Sequence, residues 1–209
     1  LSVALHAQTA DQIYAQAQKA FDAKNYKECL KQLDRVNKID PNYANAFFLA
    51  GLTYTAMKDY RWAIEEYNAF IKLVPHDPGA FYNRGYNYNE LRKFDSAWYD
   101  YDQAIRLNPN EAPFYYARGA CYANFSEYDS AILDYTRNIT LAPTNPAGYV
   151  GRGNVYILKG NYDKSIADFY KSTELDINRT SPFAAVNILE PLLRMEKFAE
   201  AAKAYGFYK

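Results

Sequence analysis

Between Pro78 and Leu107, apolar and aromatic residues fall at Phe81, Tyr88, Phe94, Ala97, Trp98, Tyr101 and Ile105, a spacing that keeps them on one face of an α-helix. The pattern breaks at Arg92 and Lys93, so it predicts two amphipathic helices rather than one. The alternation returns along the chain. Gly51, Gly85, Gly119 and Gly153 stand 34 residues apart, and Pro41, Pro75, Pro109 and Pro143 keep the same step. Two independent marks with one spacing predict tandem helical hairpins, each closed by a proline that cannot continue its second helix. Frames 10–43, 44–77, 78–111, 112–145, 146–179 and 180–209 accommodate six repeats, the last incomplete at Lys209.

The recurrent glycine lies inside the first helix, where it costs about 1 kcal/mol against alanine. A cost kept in four copies implies a gain at each, and close approach of the second helix, with no room for a Cβ, supplies one. Ala63, Ala97 and Ala131 in the second helices suit the same tight crossing, and the aromatics fill the wider gaps. Asp77-Pro78 and Asn145-Pro146 read as an N-cap followed by proline in the first helical turn.

Aligned on Gly85, the repeat carries Phe81, Tyr88, Ala97, Tyr101 and Pro109 at fixed offsets. This resembles the tetratricopeptide repeat, whose aromatic, glycine, tyrosine, alanine, aromatic and proline positions recur over about 34 residues. The resemblance covers the chain after residue 9 and implies an all-α fold, a right-handed α-solenoid of helix-turn-helix repeats. Repeat 1 diverges, with Ala17, Ala20 and Cys29 at the glycine, tyrosine and alanine positions, and repeat 6 decays, with Asn187 for glycine and Glu190 for tyrosine. Pro191 is expected to shorten or bend the first helix of repeat 6.

In the family so resembled, first helices line a concave groove, with the second, fifth, ninth, twelfth and thirteenth frame positions facing it. The fifth position here reads Tyr14, Phe48, Tyr82, Tyr116, Val150 and Ala184, and the ninth reads Gln18, Leu52, Tyr86, Ala120, Asn154 and Ile188. Asn89 and Glu90 join Tyr82 and Tyr86 in repeat 3, and Asn124 joins Tyr116 in repeat 4. Rings supply contact area and amides satisfy a backbone, which suits a protein or peptide partner. Members that clamp acidic chaperone tails present lysine at the fifth position; Tyr82 and Tyr116 stand there instead, so that sub-class is not expected.

Comparison of the repeats with one another brings out a charge pattern. The seventh position is Arg84, Arg118 and Arg152 in repeats 3 to 5, and the twenty-third is Asp100, Asp134 and Asp168 in the same three. Repeats with Gln16, Ala50 or Val186 in place of arginine have Gln32, Glu66 and Ala202 in place of aspartate. Residues that come and go together read as structural ion pairs, within a repeat or with its neighbour. Three free arginines binding an anionic partner is the competing reading.

Composition narrows the function. The 24 basic residues balance 24 acidic ones, which argues against nucleic acid, whose partners carry a basic stripe. No stretch reaches the ~20 apolar residues of a membrane span. The 22 tyrosines are accounted for by the repeat's aromatic positions. Only His6 and His76 occur, neither near other metal-ligating residues, and each regular glycine serves packing rather than a phosphate loop. No catalytic residue, metal or cofactor is therefore expected. Cys29 and Cys121 are expected as separate core thiols, and the triplets starting at Asn124, Asn138 and Asn178 as chance glycosylation matches.

Leu1 to Ala7 resembles the tail of a secretory signal peptide with cleavage after Ala7, which sets residues 1–9 apart as a leader and predicts an exported bacterial protein, periplasmic or secreted. The sequence thus reads as a non-catalytic interaction scaffold with its partner in the groove. An architectural or self-associating module using the C-terminal repeat, or an accessory part of a larger protein, are the alternatives.

Overall fold

The computed structural model describes residues 8–175 and 183–201. Eleven helices occupy these residues: α1 (Ala10–Asp22), α2 (Tyr26–Ile39), α3 (Ala44–Ala56), α4 (Tyr60–Leu73), α5 (Pro78–Glu90), α6 (Phe94–Leu107), α7 (Ala112–Asn124), α8 (Tyr128–Leu141), α9 (Pro146–Leu158), α10 (Tyr162–Leu175) and α11 (Phe183–Arg194). Odd-numbered helices open the hairpins and even-numbered ones close them. The leader residues 1–7, His6, the Asn178 triplet, and Ala184, Val186 and Ala202 as side chains lie outside the described residues.

Local chemistry sets the helix ends. Asp77 accepts from the Ala80 amide at 2.7 Å and Asn145 from the Ala147 amide at 2.9 Å, each with proline opening the helix. Thr9 and Gln12 satisfy each other's backbone amides at the start of α1, a reciprocal cap. Each hairpin turn holds one left-handed residue: Lys24, Lys58, Arg92, Ser126, Gly160 and Glu196. At Gly160 its amide bonds the Ile157 carbonyl and the Asn161 amide bonds Tyr156, which consumes carbonyls orphaned at the helix end.

The six turn residues locate the repeats independently of side-chain pattern. Five are 34 apart, but Glu196 follows Gly160 by 36. The Lys197 amide bonds the Leu192 carbonyl as the Asn161 amide bonds Tyr156. Leu192 therefore holds the tyrosine position of repeat 6 and Leu189 the glycine position, a correction of two residues to a frame begun at Thr180. Burial agrees: Leu192 and Ile188 lie in a core with Phe169 and Ala201. The frame shift arises because the step to repeat 6 is two residues longer, which no mark within that decayed repeat reveals. Helix α11 continues through Pro191 to Arg194.

The chain divides into two compact units, Leu1–Leu107 and Asn108–Lys209. Within each, a helix packs on its hairpin partner, and each second helix packs on the first helix that follows. First helices also touch one another, α1 with α3 and α3 with α5 in the first unit, α7 with α9 and α9 with α11 in the second. No second helix of a unit touches the next among the described residues. Each unit thus bends toward its first helices, which line its inner face.

The glycines have a more specific partner than the second-helix backbone. A Cβ on Gly51 would meet the Tyr67 ring at 2.7 Å, one on Gly85 the Tyr101 ring at 2.8 Å, and one on Gly153 the Phe169 ring at 2.8 Å. Each glycine admits the large aromatic four residues beyond a small residue, and those small residues, Ala63, Ala97 and Ser165, are fully buried, as is Ala131. Gly119 is looser, with Asp134 and Tyr135 atoms at 3.3 and 3.4 Å.

Candidate functional site

The arginine–aspartate pattern becomes three buried pairs. Arg84 donates to Asp100 through Nε at 2.8 Å and Nη2 at 2.7 Å, Arg118 to Asp134 at 2.8 and 2.9 Å, and Arg152 to Asp168 at 2.8 Å through both. All three lie within a repeat and join its two helices with fork-to-fork geometry. The Nη1 groups of Arg84 and Arg152 reach back to the preceding repeat, to Asn68 Oδ1 at 2.8 Å and Thr136 Oγ1 at 3.0 Å. With their nitrogens so occupied, Arg84 and Arg152 are not free to receive an anion. Burial raises the Asp100 pKa against the lowering effect of Arg84, while the bond to Asp168 raises that of Arg152.

Where arginine is missing, the acid is left alone. Glu66 occupies the Asp100 position in repeat 2, opposite Ala50, and is half-buried with no ion pair among the described residues. Burial, then repulsion from Glu65, raises its pKa.

The groove residues are laid out along the first helices. At the fifth position, Phe48, Tyr82 and Tyr116 are partly covered by the large aromatic of their own repeat. Ring centroids lie 5.7 Å apart for Phe48–Tyr67, 5.8 Å for Tyr82–Tyr101 and 5.4 Å for Tyr116–Tyr135. Tyr14 packs instead on Tyr43, at 5.2 Å. These side chains serve twice: one edge closes the hydrophobic layer and the other faces solvent. Tyr86, at the ninth position, is 40% exposed, and Leu52 is half-buried. Burial, then Glu90, raises the Tyr86 pKa.

The amides differ among themselves. Asn124 Nδ2 donates to the Ala120 carbonyl of its own helix at 3.1 Å. The side chains of Asn89 and Asn154 reach solvent and bond nothing among the described residues, so they are available to a peptide backbone. Ile188, read as a ninth-position residue, is only 3% exposed; the longer step to repeat 6 carries it into the core and puts Glu190 on the inner face.

Two features escape sequence reasoning. The Tyr43 hydroxyl donates to Asp11 Oδ1 at 2.7 Å and the Tyr60 hydroxyl to Glu90 Oε2 at 3.0 Å. Burial and then the Asp11 bond push Tyr43 up to about 12. For Tyr60 the available signal was an aromatic opening every second helix from α2 to α10, as Tyr26, Tyr60, Phe94, Tyr128 and Tyr162; Tyr43, the residue before α3, has no such mark. Leu158 and Leu193 also expose apolar surface at the ends of α9 and α11, the second visible only once the frame of repeat 6 is corrected.

Among the described residues no group of three or more His, Cys, Asp or Glu could hold a metal ion. No described helix is long and apolar enough to cross a membrane. Cys29 and Cys121 are free and buried, and Cys29 lies 3.3 Å from Thr53 Oγ1. Asn138 is buried on α8 and donates to the Ala112 carbonyl, a position inaccessible to a glycan.

Helical hairpins packed in chain order within each unit define an α-solenoid of helical repeats. Models described as tetratricopeptide repeat match residues 48–112, 100–132 and 147–177, and the chain belongs to the tetratricopeptide repeat family. No curated protein matches it in sequence. Among solved structures, a crystal structure of MamA is 26% identical, with a TM-score of 0.74 over 78% of this chain and 95% of that one. YrrB, described as a tetratricopeptide repeat protein with an unusual peptide-binding site, is 19% identical, with a TM-score of 0.72 over 90% of this chain and 92% of its own. A tetratricopeptide repeat protein from Parabacteroides merdae is also 19% identical, with a TM-score of 0.82 over 95% of this chain and 78% of its own.

Proposed function

We propose that the chain is a non-catalytic scaffold whose first helices bind an extended segment of a partner protein. One observation carries the reading: on these helices, partly exposed rings stand beside the Asn89 and Asn154 side-chain amides, which bond nothing among the described residues. In the first unit Tyr82 and Tyr86 accompany Asn89; in the second Tyr116 accompanies Asn154 on the next first helix. A ring offers apolar area with little entropy to lose, and a free amide offers both a donor and an acceptor to a peptide bond. The peptide-binding site named for YrrB lends the reading support by likeness of fold.

The test is affinity capture from cell extract with the wild-type chain and a Tyr86→Ala/Asn154→Ala variant. Loss of specific bands with the variant is expected. Recovery of the same proteins by both would overturn the groove. Export, expected from residues 1–9, is a separate part of the proposal. Cell fractionation tests it, and a cytoplasmic location would remove it.

A further inference from the structure

The proposed function leaves open the chemistry of the partner, and the charges on the first unit's inner face narrow it. The first helices there, α1, α3 and α5, carry Asp11, Asp22 and Glu90 toward that face. Their basic residues are elsewhere. Arg84 is bound to Asp100 and Asn68, and Lys19 sits one position beyond the inward stripe, matching the buried Thr53 and Asn87 of the next two repeats. Helix α3, between the other two, has no charged residue at all. No lysine or arginine lies within ion-pair distance of Asp11, Asp22 or Glu90 among the described residues.

Two of these carboxylates are held rather than loose, and in the same way. Asp11 accepts from Tyr43, whose ring packs on Tyr14 with centroids 5.2 Å apart. Glu90 accepts from Tyr60, and its charge is felt at both the Tyr60 and the Tyr86 hydroxyl. Each constellation thus joins a fixed negative charge to tyrosine rings. A carboxylate supplies the charge and an aromatic face the polarisable wall that an ammonium or guanidinium group prefers. Between them lie the uncharged Phe48 and Leu52 of α3.

Resting on the peptide-binding reading, we infer that the inner face of the first unit selects a basic segment. Its lysine or arginine side chains meet Asp11 and Glu90, and apolar residues between them lie on Phe48 and Leu52. Charge complementarity points to this partner. Among the described residues, an acidic tail laid along the first helices would meet three carboxylates and no cation on their inward stripe.

A random library of 12-residue peptides displayed on phage, panned against the full chain at low salt, tests the assignment. The panning is repeated with an Asp11→Asn/Glu90→Gln variant whose helicity and melting match the wild type. Selected peptides are expected to be rich in Lys and Arg alternating with Leu, Phe or Tyr. A synthetic peptide of that consensus should bind the variant about fivefold to tenfold more weakly, with the difference shrinking in high salt. Selection of acidic or uncharged peptides, or an unchanged basic preference in the variant, would overturn the inference and leave peptide binding standing. Failure of the wild type to select any peptide would overturn both. A peptide-free dimer in light scattering that the double exchange dissolves would assign the face to a second copy and contradict the basic partner.

Discussion

At the scale of single residues, the account depends on a few atoms being where bulk or charge would otherwise intrude. Removing the Asp100 carboxylate strands the Arg84 guanidinium in a site where Asp100 is 1% exposed. Breaking such a pair costs about 3–5 kcal/mol. Asp100→Ala should therefore lower stability in urea by about 3 kcal/mol, while Lys38→Ala, which breaks an exposed pair with Asp34, should change it by well under 1 kcal/mol. Equal effects would show that the buried pairs are not structural. Gly85→Ala forces a Cβ onto the Tyr101 ring and should cost about 1–3 kcal/mol. Gly160 tests backbone alone: its φ is +72° and nothing lies within 4 Å of an added Cβ. Gly160→Ala should cost about 1 kcal/mol, and Lys58→Gly at the equivalent turn should gain a few tenths.

At the scale of the helical hairpin, nearly everything was legible. The glycine and proline steps placed the helices because each mark has a local cause, a close ring or a stopped helix. The partner of the glycine was harder to read. Spacing says that something large approaches, and only packing says that it is Tyr67, Tyr101 or Phe169. The arginine–aspartate pairing was visible as covariation between repeats, but the second reach of Arg84 to Asn68 was not, since asparagine at that position varies to Asp102 and Thr136. Repeat 6 was misplaced because it has neither the glycine nor the tyrosine that mark the others, so two additional residues went unseen. The tyrosine–carboxylate bonds were missed because their partners lie 32 and 30 residues apart, Tyr43 with Asp11 and Tyr60 with Glu90, and no local pattern marks either pairing.

Those bonds predict a response to alkaline pH. The folded pKa of Tyr43 stands at about 12 against an ordinary value of 10.0, raised by burial and by Asp11. A raised folded pKa means that the native chain holds this proton more tightly than the unfolded one. Its contribution is complete below pH 10, and it is lost as pH climbs from about 10 to about 12. Tyr14, Tyr54, Tyr60, Tyr86 and Tyr88 shift in the same direction. The melting temperature should accordingly fall over that interval, and Tyr43→Phe should make the fall shallower. An unchanged slope would remove Tyr43 from the explanation.

At the scale of the molecule, one division of labour runs through both units. Second helices carry the aspartates and the large aromatics that bind each repeat together, and first helices carry partly exposed rings beside the Asn89 and Asn154 amides. Exposure alone does not make this distinction, because Tyr99 on α6 is 55% exposed and Tyr86 on α5 is 40% exposed. The two tyrosines therefore make a matched pair on opposite kinds of helix. Isothermal titration of the chain with a selected peptide, compared between Tyr86→Ala and Tyr99→Ala, tests the division directly. Recognition by the first helices predicts affinity weakened about tenfold by Tyr86→Ala and unchanged by Tyr99→Ala. Affinity lost with Tyr99→Ala and kept with Tyr86→Ala would contradict it.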